Sequence, residues 1–176
     1  MDGEDFDALI AAMGAWAADQ RAEEAAEGRS RTGWLRRQAA EAATLSGVLV
    51  DLAERAAPVT LETLSGPYDG QVEVVTTGLC GLRRPEGGVI LVALPAVTAL
   101  RGPDRLATGD RTPALELDMA GALSALSVDR TMVTVALPGG TRVAGLVETV
   151  GTQLVCLNND NGSVLVALDA VTACWF

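Results

Sequence analysis

VALPAVTAL (92–100) and VALDAVTAC (166–174) are one nine-residue stretch written twice, identical at seven positions and 74 residues apart. The same offset pairs Gly47 with Gly121, Leu49 with Leu123, Leu52 with Leu126, Val59 with Val133 and Gly66 with Gly140. After a one-residue insertion the offset becomes 75, which pairs Gly70 with Gly145, Val72 with Val147, Glu73 with Glu148, Leu79 with Leu154 and Leu82 with Leu157. A chain rich in Ala and Val shares scattered aliphatics by chance. It does not by chance share glycines at turn positions together with Thr98 and Thr172. The chain therefore contains a duplication, and a repeat of this length marks two copies of a compact module rather than a solenoid.

Each copy reads as a helix followed by about five short strands. In the first, Leu35, Ala39, Ala42, Leu45, Leu49 and Leu52 recur at helical spacing. Pro58 closes that helix, because the residue before a proline is pushed out of helical geometry. Alternating stretches follow at 59–63, 71–75, 79–83, 89–94 and 97–100. In the second copy the pattern predicts a helix over 115–129, a strand over 133–137 and a turn at Pro138-Gly139-Gly140. Gly70 and Gly145 fall where a strongly bent strand needs a residue without a side chain. Ahead of the repeats, Phe6, Leu9, Ile10, Met13, Trp16 and Ala17 form one apolar stripe, with Gly28 as the expected stop. The expected organisation is an N-terminal helix (1–30), a first repeat (31–100), a linker (101–113) rich in Gly, Pro and charge, and a second repeat (114–176).

Composition limits function. The chain has 176 residues with 49% hydrophobic and 3% aromatic content, so its core is built from Ala, Val and Leu. The net charge is −10 and all 13 basic residues are arginine. Phosphate backbones are repelled by such a chain except at a local patch. No histidine is present, and Cys80, Cys156 and Cys174 lack the short spacings of a zinc site. Three cysteines without a pairing pattern fit a reducing, cytoplasmic compartment. The acidic start MDGEDFDALI is no secretory signal, and no apolar run is long enough to span a membrane. Without a histidine base, a nucleophile elbow or a phosphate-binding glycine loop, neither an enzyme nor a bound cofactor is expected.

The order of elements resembles the Sm-like fold, which includes the bacterial RNA chaperone Hfq. The resemblance covers 44–100 and 115–176. It is carried by VETVGTQLVCL (147–157), similar to that family's second and third strands, and by LVALDAVTAC (165–174), similar to its closing pair. It implies an α+β chain: a helical arm followed by two tandem five-stranded Sm-like barrels, each with a leading helix. The family's RNA-contacting residues do not carry over. Its uridine-pocket glutamine falls on Thr77 and Thr152, and its final Lys-His pair falls on Leu94-Pro95 and Leu168-Asp169. The whole chain also resembles a group of proteins from high-GC Gram-positive bacteria, some labelled Fis-type regulators. That label requires a C-terminal helix-turn-helix, where this chain reads as strand.

The candidate contact residues are few. Arg29, Arg31, Trp34, Arg36 and Arg37 form the densest basic cluster, with Trp34 able to stack on a base. Arg83-Arg84 occupy one turn of the first copy, and Asn158-Asn159 the same turn of the second. Tyr68 precedes a strand, and Trp175-Phe176 place two large apolar side chains side by side. The expected function is a non-catalytic scaffold that binds protein partners or itself as a homodimer or pseudo-symmetric oligomer. The alternative is an RNA-binding regulator that uses the arginine patches.

Overall fold

The computed structural model describes residues 20, 21, 24, 25, 27, 28, 30–35, 37–103 and 111–176. The apolar stripe at 6–17, Arg29, Arg36 and the centre of the linker lie outside these residues. The chain divides into two compact units, Met1–Glu41 and Ala42–Phe176. In the first, the described residues between 20 and 41 are helical (α1). Gly28, the expected stop, sits inside this helix, where a glycine costs only about 1 kcal/mol relative to alanine. Thr32 Oγ1 donates back to the Gly28 carbonyl at 2.8 Å. The break comes instead at 42–44, ahead of α2 (Leu45–Glu54).

The two repeats start their helices in the same way. Thr44 caps α2 by accepting from the Gly47 N–H at 3.0 Å, and Asp118 caps α3 (Met119–Val128) by accepting from the Gly121 N–H at 2.8 Å. Such caps satisfy amide groups that the first helical turn leaves unpaired. The helix expected from Leu115 thus begins four residues later. Residues 115–118 stay outside the helix and serve another element: Thr77 and Gly78 donate their N–H groups to the Leu115 and Leu117 carbonyls, both at 3.1 Å. Thr76 Oγ1 adds a bond to Leu117 O at 2.6 Å.

Ten strands follow: β1 (Pro58–Thr63), β2 (Gly66–Val75), β3 (Leu79–Arg83), β4 (Val89–Ala93), β5 (Val97–Arg101), β6 (Met132–Ala136), β7 (Arg142–Val150), β8 (Leu154–Asn159), β9 (Gly162–Ala167) and β10 (Ala173–Trp175). They form one antiparallel sheet in the order β5-β1-β2-β3-β4-β10-β6-β7-β8-β9. This corrects the expectation of two closed, five-stranded Sm-like barrels. A 3-10 turn at Leu94–Ala96 separates β4 from β5 and sends β5 back onto β1. The fourth strand is left facing the other repeat, where β10 pairs with it and with β6. Neither half closes on itself. The sheet is continuous and open, with β5 and β9 as its edges.

The bend positions repeat. The register of β2 on β3 shifts between Val72 and Val74, and that of β7 on β8 between Val147 and Thr149, one bulge per copy. Just before each bulge stands the glycine singled out by the repeat. A Cβ on Gly70 would lie 2.5 Å from Arg83 O, and one on Gly145 would lie 2.9 Å from Asn158 O. These glycines exist because the neighbouring strand's backbone passes too close for a side chain.

Two cores result, and each borrows from the other half. Leu49, Leu52, Leu61, Val72, Leu82 and Val92 are joined by Ala136 and Ala173 of the second copy, with Trp175 packed alongside. Leu123, Val133, Val135, Val147, Val155 and Leu157 are joined by Ala93 and Ala96 of the first copy, with Leu91 alongside. The exchange centres on the β4–β10 pairing, with Ala136 at the end of β6 and Ala96 in the 3-10 turn after β4 beside it.

Candidate functional site

The junction is held by polar contacts as well as packing. Thr172 is buried (2% exposed), its hydroxyl 2.6 Å from Ser65 Oγ and 3.0 Å from the Ala136 carbonyl. Ser65 Oγ also lies 2.9 Å from the Tyr68 hydroxyl. Ala93 N–H donates to Thr172 O at 2.9 Å, and Gly139 N–H donates to Leu64 O at 3.0 Å, so both faces of the seam are bonded across the repeats. Tyr68 is therefore a buried member of this network, its ring 6.5 Å from that of Trp175. Trp175 docks on the first core with the Arg142 guanidinium 5.4 Å above it. Phe176 does not dock and is 59% exposed.

Arg83 and Arg84 share a cleft of about 750 Å³ with Arg101, which reaches it because β5 lies on β1. Arg101 escaped the sequence-based expectation, since it stands at the start of the linker. Asp69 and Gln71 line the same cleft. Each arginine has a carboxylate partner: Arg83 pairs with Glu73, Arg84 with Glu86 at 2.7 Å, and Arg101 with Glu62 at 3.1 Å. These pairs cancel most of the cleft's positive field. Arg84 Nε is buried without a hydrogen-bond partner.

The same turn in the second copy is polar. Asn159 Nδ2 donates to Ala144 O at 3.1 Å and its Oδ1 accepts from Asn161 N–H at 3.0 Å, while Asn158 is exposed. Four of the six positions aligned with the Sm-like RNA pocket, Thr152, Pro95, Leu168 and Asp169, meet in a cavity of about 360 Å³ that Thr77 and Leu94 do not line. Asp118 joins Asp169 there and no basic side chain lines it, so the cavity disfavours phosphate. In the first unit, Arg31 and Arg37 are exposed and Trp34 is 55% exposed. Trp34 and Arg37 line a groove of about 300 Å³ with Gln38 and Glu41.

Among the described residues, no three His, Cys, Asp or Glu side chains are grouped to hold a metal ion. No described helix is long and apolar enough to cross a membrane. Burial pushes the thiols of Cys80 and Cys174 up to about 12, which keeps them protonated and unreactive. Cys156, beside Glu148 with Sγ to Oε2 at 3.4 Å, is also raised, by desolvation first and then by that carboxylate. None of the three is disulfide-bonded.

Exposed apolar side chains occur in both repeats, Leu64 (56%) and Val74 (39%) in the first, and the most exposed of them lie in the second. Leu165 on β9 is 66% exposed, Val128 82% and Met132 57%. An all-antiparallel duplicated sheet with two free edges is the class of protein these features define. No protein-family model matches the chain, and no curated protein is similar to it.

Proposed function

We propose that the protein is a non-catalytic interaction module that binds protein strands, its own or a partner's, at the open edges of its sheet. The observation that carries this reading is the β9 edge, where Leu165 stands in solvent on a strand paired on one side only. An unpaired strand offers a row of backbone donors and acceptors, and an apolar side chain on it rewards whatever strand is added. The net charge of −10 fits a protein partner better than a nucleic acid. The unpaired cysteines fit a cytoplasmic setting, and the reading calls for no cofactor.

A second reading, single-stranded RNA binding, has one observation in its favour: Arg83, Arg84 and Arg101 converge on a single cleft. The two readings separate with a photo-crosslinker replacing Leu165 in the full chain, irradiated in cells and treated with nuclease. The proposal expects protein adducts that survive nuclease. If no protein adducts form, and single-stranded RNA shifts the chain at low salt but not the variant carrying both Arg83→Glu and Arg84→Glu, the RNA reading replaces it.

A further inference from the structure

The arginines of the first repeat's cleft are held from outside it. Glu73, Glu86 and Glu62 pair with Arg83, Arg84 and Arg101, yet none of these carboxylates lines the cleft. Among the described residues Asp69 is the one acid in the lining, its Oδ1 accepting from Thr60 Oγ1 at 2.5 Å. Inside, three guanidiniums stand against one carboxylate, a surplus of two positive charges on a chain of net −10. We infer that the cleft binds a small phosphate monoester, one per chain. This goes beyond the interaction-module reading and does not depend on it.

The arrangement selects its ligand by range and by charge. The outer carboxylates cancel the field away from the surface, so a long polyanion gains little attraction on approach. At contact distance the donors remain. A guanidinium has five N–H groups and one carboxylate engages a fork of two, so each arginine keeps donors for a ligand. Arg84 Nε is buried without a hydrogen-bond partner, a state that points to an ion or water belonging to the site. A phosphate monoester carries about −1.5 to −2 charge at pH 7 and matches the surplus of two, whereas a carboxylate or a phosphodiester, with a single negative charge, does not.

Size and surroundings fit a small molecule. The cleft's volume, about 750 Å³, lies within the roughly 300–1,000 Å³ of small-ligand sites. Pro58, Pro85 and Pro103 give its walls rigid apolar surface for the body of the ester. The second repeat lacks the chemistry: the offsets place Asn158 and Asn159 where Arg83 and Arg84 stand, and Trp175 where Arg101 stands. One copy of the duplicated module thus carries the site and the other does not, which sets the stoichiometry at one.

Isothermal titration calorimetry of the full chain tests this with two probes of the same shape, phenyl phosphate and the singly charged phenyl sulfate. The expected result is one phenyl phosphate per chain, with phenyl sulfate about tenfold weaker or worse. Affinity for phenyl phosphate is expected to fall below about pH 6, where the ester takes up a proton. Arg101→Gln, at a side chain exposed enough to leave the fold intact, is expected to weaken binding about tenfold, with the urea midpoint confirming the fold. Asn158→Ala in the second repeat is expected to leave binding unchanged. No binding of phenyl phosphate at millimolar concentration, equal binding of phenyl sulfate, or affinity indifferent to Arg101→Gln overturns the inference. A phosphoserine peptide that binds at least about tenfold tighter than phenyl phosphate overturns the small-molecule assignment and moves the ester onto a partner protein. Single-stranded RNA bound by a chain that ignores phenyl phosphate overturns it in favour of the RNA reading.

Discussion

Ala56 and Arg130, one repeat apart, hold nearly the same left-handed backbone, φ 49° and 48°. Each follows a helix whose end is tied by a bond back to the last turn, Ala57 N–H to Leu52 O and Thr131 N–H to Leu126 O, both at 3.1 Å. Glycine is the usual occupant of such a site. An L-residue there costs roughly 1–2 kcal/mol of strain, against the roughly 0.5–1 kcal/mol of extra chain entropy a glycine loses on folding. Relief of strain therefore outweighs the lost entropy. Ala56→Gly and Arg130→Gly are each expected to stabilise the protein by about 0.5–1 kcal/mol, read as a higher urea midpoint at unchanged slope. These sites were invisible in the sequence because the residue that would announce them is missing. The Arg83-Arg84 turn was legible as the place where the copies diverge. The neutralisation of Arg83 was not, because Glu73 reaches it from β2, whereas Glu86, which pairs with Arg84, stands two residues on in the same turn.

At the scale of the element, the repeated glycines of β2 and β7 were legible as bend positions, and the structure supplies the cause: the carbonyls of Arg83 and Asn158 lie beneath them. A methyl group at Gly145 must push β8 away, so Gly145→Ala is expected to cost about 1–3 kcal/mol by thermal or chemical unfolding, whereas alanine at exposed Gly151 is expected to cost less than about 1 kcal/mol. Strand pairing was less legible than strand position. Period-two alternation tells which face of a strand is apolar and is silent about which strand lies beside it. Five short strands per copy therefore read as five strands closing on themselves. The pattern carried no sign that the turn at Leu94–Ala96 would point β4 at the other repeat.

At the scale of the molecule, the cores are shared across the β4–β10 seam, so residues 42–176 cannot lose one half and keep the other intact. A single unfolding transition is expected by calorimetry for this unit, although its sequence reads as two modules. Trp175→Ala, which strips the seam on the first core's side, is expected to cost about 3 kcal/mol and to lower amide protection in both repeats together. Two separate transitions would show the seam to be a docking surface between independent halves. The seam also orders events during synthesis. The strand at the centre of the sheet is the last of the ten to leave the ribosome. Until it arrives, β4 (Val89–Ala93) has no neighbour on one side, and the first core lacks Ala136, Ala173 and Trp175. The nascent first repeat thus waits with a bare aliphatic strand, and elongation speed across residues 94–172 sets how long that strand is open to the wrong partner.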